Sequence, residues 1–189
     1  MSIKEDTAWP ADLLSVFERH ASCTTFQDHY SLACNALLRY CFGLERLDVC
    51  IAPGNPFSDA RRSTHPIVYY VVYDVGPDEP IFLLEIKDDS CADVAALRCR
   101  ADEQMRELYD EMLPKCPLPR LWGVSLLGTS MRVYCGHTAS LTVNPPAVPY
   151  ESDRTVPPSF LAGEWDLDIM SQEGFEKMKN VISDIKSDT

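Results

Sequence analysis

The sequence predicts an α/β fold in a single domain of 189 residues. Two runs rich in β-branched and aromatic residues, 67–75 and 81–87, flank the turn cluster 76–80, and this pattern is typical of an antiparallel hairpin. Amphipathic helical patterns lie on both sides of the hairpin and again near the end of the sequence. A chain of this length fits one domain, since domains run to roughly 100–200 residues.

The N-terminal part of the chain is predicted to hold two helices and a strand. A helix over 12–20 begins at an aspartate that can cap it. A second helix over 27–41 has apolar residues at helical spacing and is followed by a glycine at its end. The stretch 47–52 predicts a short strand that ends at a proline-rich turn, and 58–64 is expected to be an exposed loop.

A long helix is predicted directly after the hairpin. Ser90, with Asp93 three residues later, has the spacing of a capping box for a helix over 91–113. Pro114 is expected to stop this helix because proline lacks the backbone N–H that a helix needs. Three basic residues lie among many acidic ones and are predicted to form a solvated face: Arg98, Arg100 and Arg106.

The remaining elements are two strands and a final helix. The stretches 121–127 and 131–135 predict strands joined by a short turn, the second with the two-residue alternation of a half-buried strand. The proline-rich segment 144–158 shows no clear element and predicts an ordered wrap or a linker. A C-terminal helix is expected over about 171–186, with one apolar face packed on the core.

Composition and charge limit the classes of function. The formal net charge of −12 repels phosphate backbones on average, which disfavours a nucleic-acid partner but leaves one open. Neither a signal-peptide pattern nor an apolar run of the ~20 residues that span a bilayer is present. The expected location is therefore intracellular, cytoplasmic or nuclear, with no membrane partner. A protein partner or a homo-oligomer stays open.

The eight cysteines do not predict a metal site or a disulfide framework. The sequence has no C-x-x-C pair, its four histidines are scattered, and a core of this size needs no covalent staples. Four of the cysteines lie in apolar patterns and are predicted to be buried free thiols: Cys34, Cys41, Cys50 and Cys99.

Glu85 and Lys87 are the strongest candidates for chemistry. Residues two apart on a strand point to the same face, so a carboxylate and an ammonium share one face of an otherwise apolar strand. Burying either alone is costly, so they must pair, reach solvent, or meet a metal and substrate. Gln104 lies on the apolar stripe of the following helix and is a candidate to point toward the same face, although a structural tether is as plausible.

This arrangement resembles the PD-(D/E)xK nuclease superfamily, which has the restriction-endonuclease-like fold. The matching text is Phe82-Leu83-Leu84-Glu85-Ile86-Lys87 and the following helix with Gln104, and the resemblance spans roughly 27–136. It implies a central mixed sheet with an αβββαβ core flanked by helices. It also implies that Glu85 and a preceding Asp bind Mg²⁺ or Mn²⁺, that Lys87 positions or activates water, and that Gln104 helps to orient the site.

The sequence departs from this pattern at the preceding Asp. Counting back from Glu85 across the turn reaches Tyr70 or Tyr69, and neither binds Mg²⁺ as a carboxylate does. The nearest acid on that strand, Asp74, is the candidate second metal ligand, but it lies about four residues away, or ~13 Å. Asp59, in the preceding loop, is the other acid that would reach Glu85 if that loop folds back.

Two functions therefore stay open. The first is a metal-dependent nuclease or phosphodiesterase that uses Glu85, Lys87 and Gln104. The second is a catalytically inactive module for protein interaction or self-association on the same scaffold, favoured by tyrosine in place of the expected Asp and by the negative charge. A second carboxylate within about 5 Å of Glu85 would favour the first.

Overall fold

The computed structural model describes residues 3–21, 26–43, 49–54, 68–74, 79–150 and 155–188. Within these ranges the fold is α/β, as predicted, with a mixed sheet flanked by helices. The helices are α1 Ala11–Ala21, α2 Phe26–Phe42, α3 Ala95–Met112 and α4 Gln172–Asp188. The strands are β1 Val49–Gly54, β2 Val68–Asp74, β3 Glu79–Lys87, β4 Arg120–Leu127, β5 Ser130–His137, β6 Thr142–Asn144 and β7 Leu167–Asp168.

The strands lie in the sheet in the order β1-β2-β3-β4-β5-β6, and β7 pairs with β5. Among the described strand pairs, only β3 with β4 is parallel, and α3 supplies the crossover between them. The order α2-β1-β2-β3-α3-β4 is the predicted αβββαβ core. The short strands β6 and β7 were not predicted, since two or three residues give too little pattern.

Helices cover both faces of the sheet. Leu84 and Ile86 pack in the large core that also holds buried residues of α1, α2 and α4. Leu83 points to the other face, where it packs with Met105 and Tyr109 of α3. Because successive side chains alternate along a strand, Glu85 and Lys87 lie on the α3 face, as Leu83 does.

The start of α3 differs from the prediction. The Asp88 carboxylate accepts a hydrogen bond from the Ser90 backbone N–H at 2.9 Å and caps a short 3-10 helix over Asp89–Ala92. Helix α3 then begins at Ala95, and Val94 before it makes no side-chain capping bond. The predicted Ser90 capping box is therefore wrong, because Asp88 uses the same backbone N–H to start a separate turn.

The C-terminal helix packs as its apolar stripe predicts. Helix α4 places five apolar residues in the core: Phe175, Met178, Val181, Ile182 and Ile185. The predicted free thiols Cys34, Cys41 and Cys99 are confirmed as buried, and burial raises the pKa of each of them. The side chain of Cys50 and the loop 58–64 lie outside the described residues. In the described part of the chain, every helix is too short or too polar to cross a membrane.

Candidate functional site

The structure brings the three sequence candidates together beneath α3. Glu85 and Lys87 come from β3, Gln104 comes from α3, and all three side chains are buried. Lys87 Nζ donates a hydrogen bond to Gln104 Oε1 at 2.5 Å and lies 3.8 Å from Glu85 Oε1. The lysine ammonium therefore joins the strand carboxylate to the helix amide.

Two residues that sequence reasoning missed complete the surroundings of Glu85. Ser125 lies opposite Glu85 in the parallel β3/β4 pair, and its hydroxyl donates to Glu85 Oε2 at 2.7 Å. The Trp165 indole N–H in turn donates to Ser125 Oγ at 3.2 Å. The one signal in the sequence is that Ser125 is the only polar side chain between Leu121 and Leu127 apart from the indole N–H of Trp122.

The environment of Glu85 disfavours its charge. Its Oε1 atom is buried and accepts no hydrogen bond from any described residue. Burial raises the pKa of Glu85 from 4.5 to about 7; Lys87 and the Ser125 hydroxyl oppose this rise, and the nearby Asp102 charge adds to it. Burial also lowers the pKa of Lys87, against the attraction of Glu85. Burial therefore disfavours the charged form of both residues, and their mutual attraction opposes that effect.

A second polar cluster surrounds Asp102 on the same face of the sheet. Its carboxylate accepts hydrogen bonds from Arg106 at 2.8 Å, from Arg132 at 3.0 Å and from the Tyr134 hydroxyl at 3.0 Å. The Arg132 guanidinium lies 5.0 Å from the Tyr134 ring centroid and 5.1 Å from that of Trp165. This arrangement fixes Arg132 between two aromatic rings.

The two clusters form one polar row across three strands. Ser125 pairs with Glu85 on one side and with Arg132 on the other, so all three lie on the α3 face. The Arg132 Nε atom, like Glu85 Oε1, is buried without a hydrogen-bond partner among the described residues. Buried polar atoms are paired in most proteins, so two unpaired atoms in one row mark it as unusual.

The end of the proline-rich region and the residues after it cover this row. We call residues 155–165 the strap. Arg98 of α3 is bonded to it through two carbonyl oxygens, with Nη2 donating to Pro158 at 2.7 Å and Nε to Phe160 at 3.1 Å. Its Nη1 donates to the Ala92 carbonyl at 2.6 Å. The predicted solvated face is therefore wrong for Arg98, which is buried because the strap lies on it.

The same prediction holds only in part for the other two arginines. Arg106 is largely covered, because it donates both to Asp102 and to the Pro145 carbonyl at 2.9 Å. Arg100 remains partly exposed and pairs with Glu103 and Glu107 of its own helix, as a solvated face requires. The proline-rich region thus wraps around α3 rather than linking domains.

Apolar side chains hold the strap in place. Leu161 and Trp165 are buried against Cys91, Ala101 and Leu127. The strap therefore shuts the row that contains Glu85 away from solvent.

The strap backbone is locally strained. Leu161 has a φ of 52°, a left-handed conformation that costs a residue with a side chain about 1–2 kcal/mol, and Gly163 has a φ of 78°. The side-chain contacts of Leu161 must outweigh this cost. Glu164, near the strap's end, forms an ion pair with Arg132 at 3.2 Å.

The register of the hairpin decides which residue faces Glu85. Tyr69 pairs with Glu85, and Asp74 pairs with Glu79 at the opposite end of the hairpin. Asp74 is thus five residues from Tyr69, roughly 16 Å along the strand, which is too far for its carboxylate to share an ion with Glu85. The side chain of Asp74 and the whole of Asp59 lie outside the described residues.

The described residues do not fit a Mg²⁺ or Mn²⁺ site. These ions need several oxygen ligands, and carboxylates are the usual protein donors. Within the described ranges, no three His, Cys, Asp or Glu side chains are grouped to hold a metal. The unpaired Glu85 oxygen faces the Lys87 ammonium instead, so a cation is already beside it.

Comparisons of the chain with protein-family models, with curated proteins and with solved structures found no match. The geometry of the Glu85 row and of the strap is therefore the basis for assigning a function.

Proposed function

We propose that this domain is a non-catalytic binding module on a nuclease-like α/β scaffold, acting in the cytoplasm or nucleus. One observation carries the proposal: the Glu85 carboxylate is fully enclosed. One of its oxygens accepts from Ser125, the other faces Lys87, and Trp165 of the strap bonds to Ser125 above them. In the described part of the chain, these contacts leave a substrate phosphate no open path to this carboxylate.

The electrostatics support the same proposal. A carboxylate that binds a metal must be ionised, whereas burial raises the pKa of Glu85 to about 7 and so favours its protonated form. The residue paired with it across the hairpin is Tyr69 rather than an acid. The net charge of −12 favours a protein partner over nucleic acid.

A second candidate function is metal-dependent cleavage of nucleic acid. The observation that favours it is the buried, unpaired Glu85 Oε1 atom, together with Lys87 and Gln104 beside it. Perturbed ionisable groups of this kind occur often at catalytic sites, and also in structural ion pairs. Measurements of nucleic-acid cleavage and of metal-ion binding distinguish the two functions.

The test is a cleavage panel of single- and double-stranded DNA and RNA with Mg²⁺ or Mn²⁺, run beside calorimetric titration of each ion. We expect the wild-type chain to cleave nothing and to show no ion binding that depends on Glu85. Tyr69→Asp supplies the missing carboxylate, so we expect it to gain ion binding that disappears in Tyr69→Asp/Glu85→Gln. Glu103→Gln on α3 is the control for loss of a surface charge.

Cleavage by the wild-type chain that is lost in Glu85→Gln, with the thermal unfolding of that variant intact, would overturn the proposal in favour of the nuclease.

A further inference from the structure

We propose that the strap occupies a peptide-binding groove of this domain, and that a segment of a partner protein with the same chemistry displaces it. The inference rests on the proposed binding function and names its partner class. That segment begins with a proline-led turn and carries a leucine and a tryptophan four positions apart, with an acidic residue directly before the tryptophan. In the strap these are Pro157-Pro158, Leu161, Glu164 and Trp165.

Arg98 recognises the backbone of the bound segment. Its guanidinium is buried in α3 and donates to the carbonyls of Pro158 and Phe160, two residues apart. Bonds to carbonyl oxygens do not depend on the side chains that carry them, and proline offers only a carbonyl. Arg98 therefore binds the carbonyls of a proline-containing turn, whatever chain supplies it.

Two apolar anchors give the groove its specificity. Leu161 and Trp165 are both buried on a floor made by Cys91, Ala101 and Leu127. Large aromatic anchors in desolvated pockets dominate the energy of peptide and protein interfaces. The Trp165 N–H also finds an acceptor in Ser125, so the groove selects an indole over a phenyl ring.

Charge sets the direction in which a segment lies. Arg132 is buried at the end of the groove and pairs with Glu164, which is itself substantially exposed. This cation lies in a chain whose net charge is −12. An acidic residue just before the tryptophan is therefore favoured, and a basic residue there is repelled.

The strap can leave without dismantling the sheet. It adds no strand to the described sheet, and β7 begins only at Leu167. The backbone hydrogen bonds formed by its own N–H groups are short turns, from Phe160 to Pro157, from Ala162 to Ser159 and from Glu164 to Leu161. The left-handed Leu161 also regains a relaxed conformation on release.

The test uses a fluorescent synthetic peptide of residues 155–166 and the full chain. The tethered strap competes at high effective concentration in the wild-type chain. We expect Leu161→Ala/Trp165→Ala, whose own strap is weakened, to bind the peptide at least about tenfold more tightly than the wild-type chain does. Binding should fall again when Arg98→Lys is added, since lysine lacks the planar fork. A peptide with alanine at the leucine and tryptophan positions is the matched control.

A folded double variant that binds the native and control peptides equally, or binds neither, would overturn the inference. If that variant does not fold, Glu164→Arg replaces it, because this exposed substitution loosens the strap by repulsion from Arg132 and should admit the peptide in the same way. Light scattering without peptide adds a third outcome, since a dimer of the variant would assign the groove to a second copy of the chain and overturn a partner peptide.

The two proposals fail separately. If the peptide does not bind and no nuclease activity is found, the partner class is wrong but the non-catalytic binding module is not contradicted. Metal-dependent cleavage that needs Glu85 would contradict the proposed non-catalytic function itself.

Discussion

Lys87 Nζ and Gln104 Oε1 lie 2.5 Å apart, although 17 positions separate the two residues in the sequence. Their hydrogen bond links the end of β3 to the middle of α3, the helix that also carries Arg98 beneath the strap. Because α3 is hydrogen-bonded to both β3 and the strap, the geometry around Glu85 and the position of the strap depend on the same helix.

The first prediction concerns pH. The stability of Glu85→Gln relative to the wild-type chain should increase as pH rises from about 4.5 to about 7, on top of a pH-independent cost of leaving Lys87 without its carboxylate. Below this window Glu85 is protonated in both folded and unfolded chains. Within it the unfolded chain releases the proton first, so the wild-type fold loses stability, by about 3 kcal/mol once pH exceeds the folded-state pKa.

Denaturant unfolding of both proteins from pH 4 to pH 8 measures this difference. A parallel pair of curves, with the same gap at every pH, would show that the folded and unfolded chains titrate Glu85 alike.

The second prediction is that Glu85 and Lys87 are energetically coupled. Lys87→Met leaves the buried carboxylate without its cation, which should cost about 3–5 kcal/mol at pH 8. Glu85→Gln/Lys87→Met removes both charges and should cost clearly less than Lys87→Met alone. A double-mutant cycle by denaturant unfolding gives the coupling, expected at about 1–3 kcal/mol, and additive effects would contradict it.

The third prediction concerns Ser125. Ser125→Ala removes the hydroxyl that donates to Glu85 Oε2 at 2.7 Å, so the pKa of Glu85 should rise further. The fold should lose about 1–3 kcal/mol at neutral pH, because a buried acceptor is left unpaired. NMR titration of the Glu85 carboxyl measures the first effect. Ser130→Ala on β5 serves as the control, and an unchanged Glu85 pKa in Ser125→Ala would contradict the prediction.

The face of β3 that carries Glu85 and Lys87 was predictable because strand alternation is local. The tyrosine across from Glu85 was predictable to within one residue by counting across the turn. The actual partner is Tyr69: the register beside the turn, where Asp74 pairs with Glu79, would by itself place Val68 opposite Glu85, and an irregularity between Val72 and Tyr73 moves the partner by one residue to Tyr69. Such a bulge leaves no clear mark in a run of β-branched and aromatic residues.

Ser125 and Trp165 could not be predicted as part of the site. Each lies 40 positions from its hydrogen-bond partner, and their contacts depend on the parallel pairing of β3 with β4 and on the path of the strap. The burial of Arg98 is unpredictable for the same reason. A basic residue among acids resembles a solvated one until a distant segment covers it.

The fourth prediction tests how β7 and the turn after it, which follow the strap, are packed against α4. A Cβ added at Gly174, near the start of α4, would overlap the carbonyl oxygen of Asp168, the last residue of β7, and lie 2.6 Å from that of Ile169 in the turn after β7. Gly174→Ala should therefore destabilise the fold by about 1–3 kcal/mol, although alanine is the better helix former. Asn180→Ala, on the exposed side of α4, should be neutral or slightly stabilising.

Thermal unfolding of Gly174→Ala and Asn180→Ala checks both expectations. Hydrogen exchange should also show faster exchange of the Ile169 amide in Gly174→Ala, because that amide donates to the Thr129 carbonyl from the displaced turn. An alanine at 174 that leaves both stability and this amide unchanged would mean that α4 can shift away from the turn.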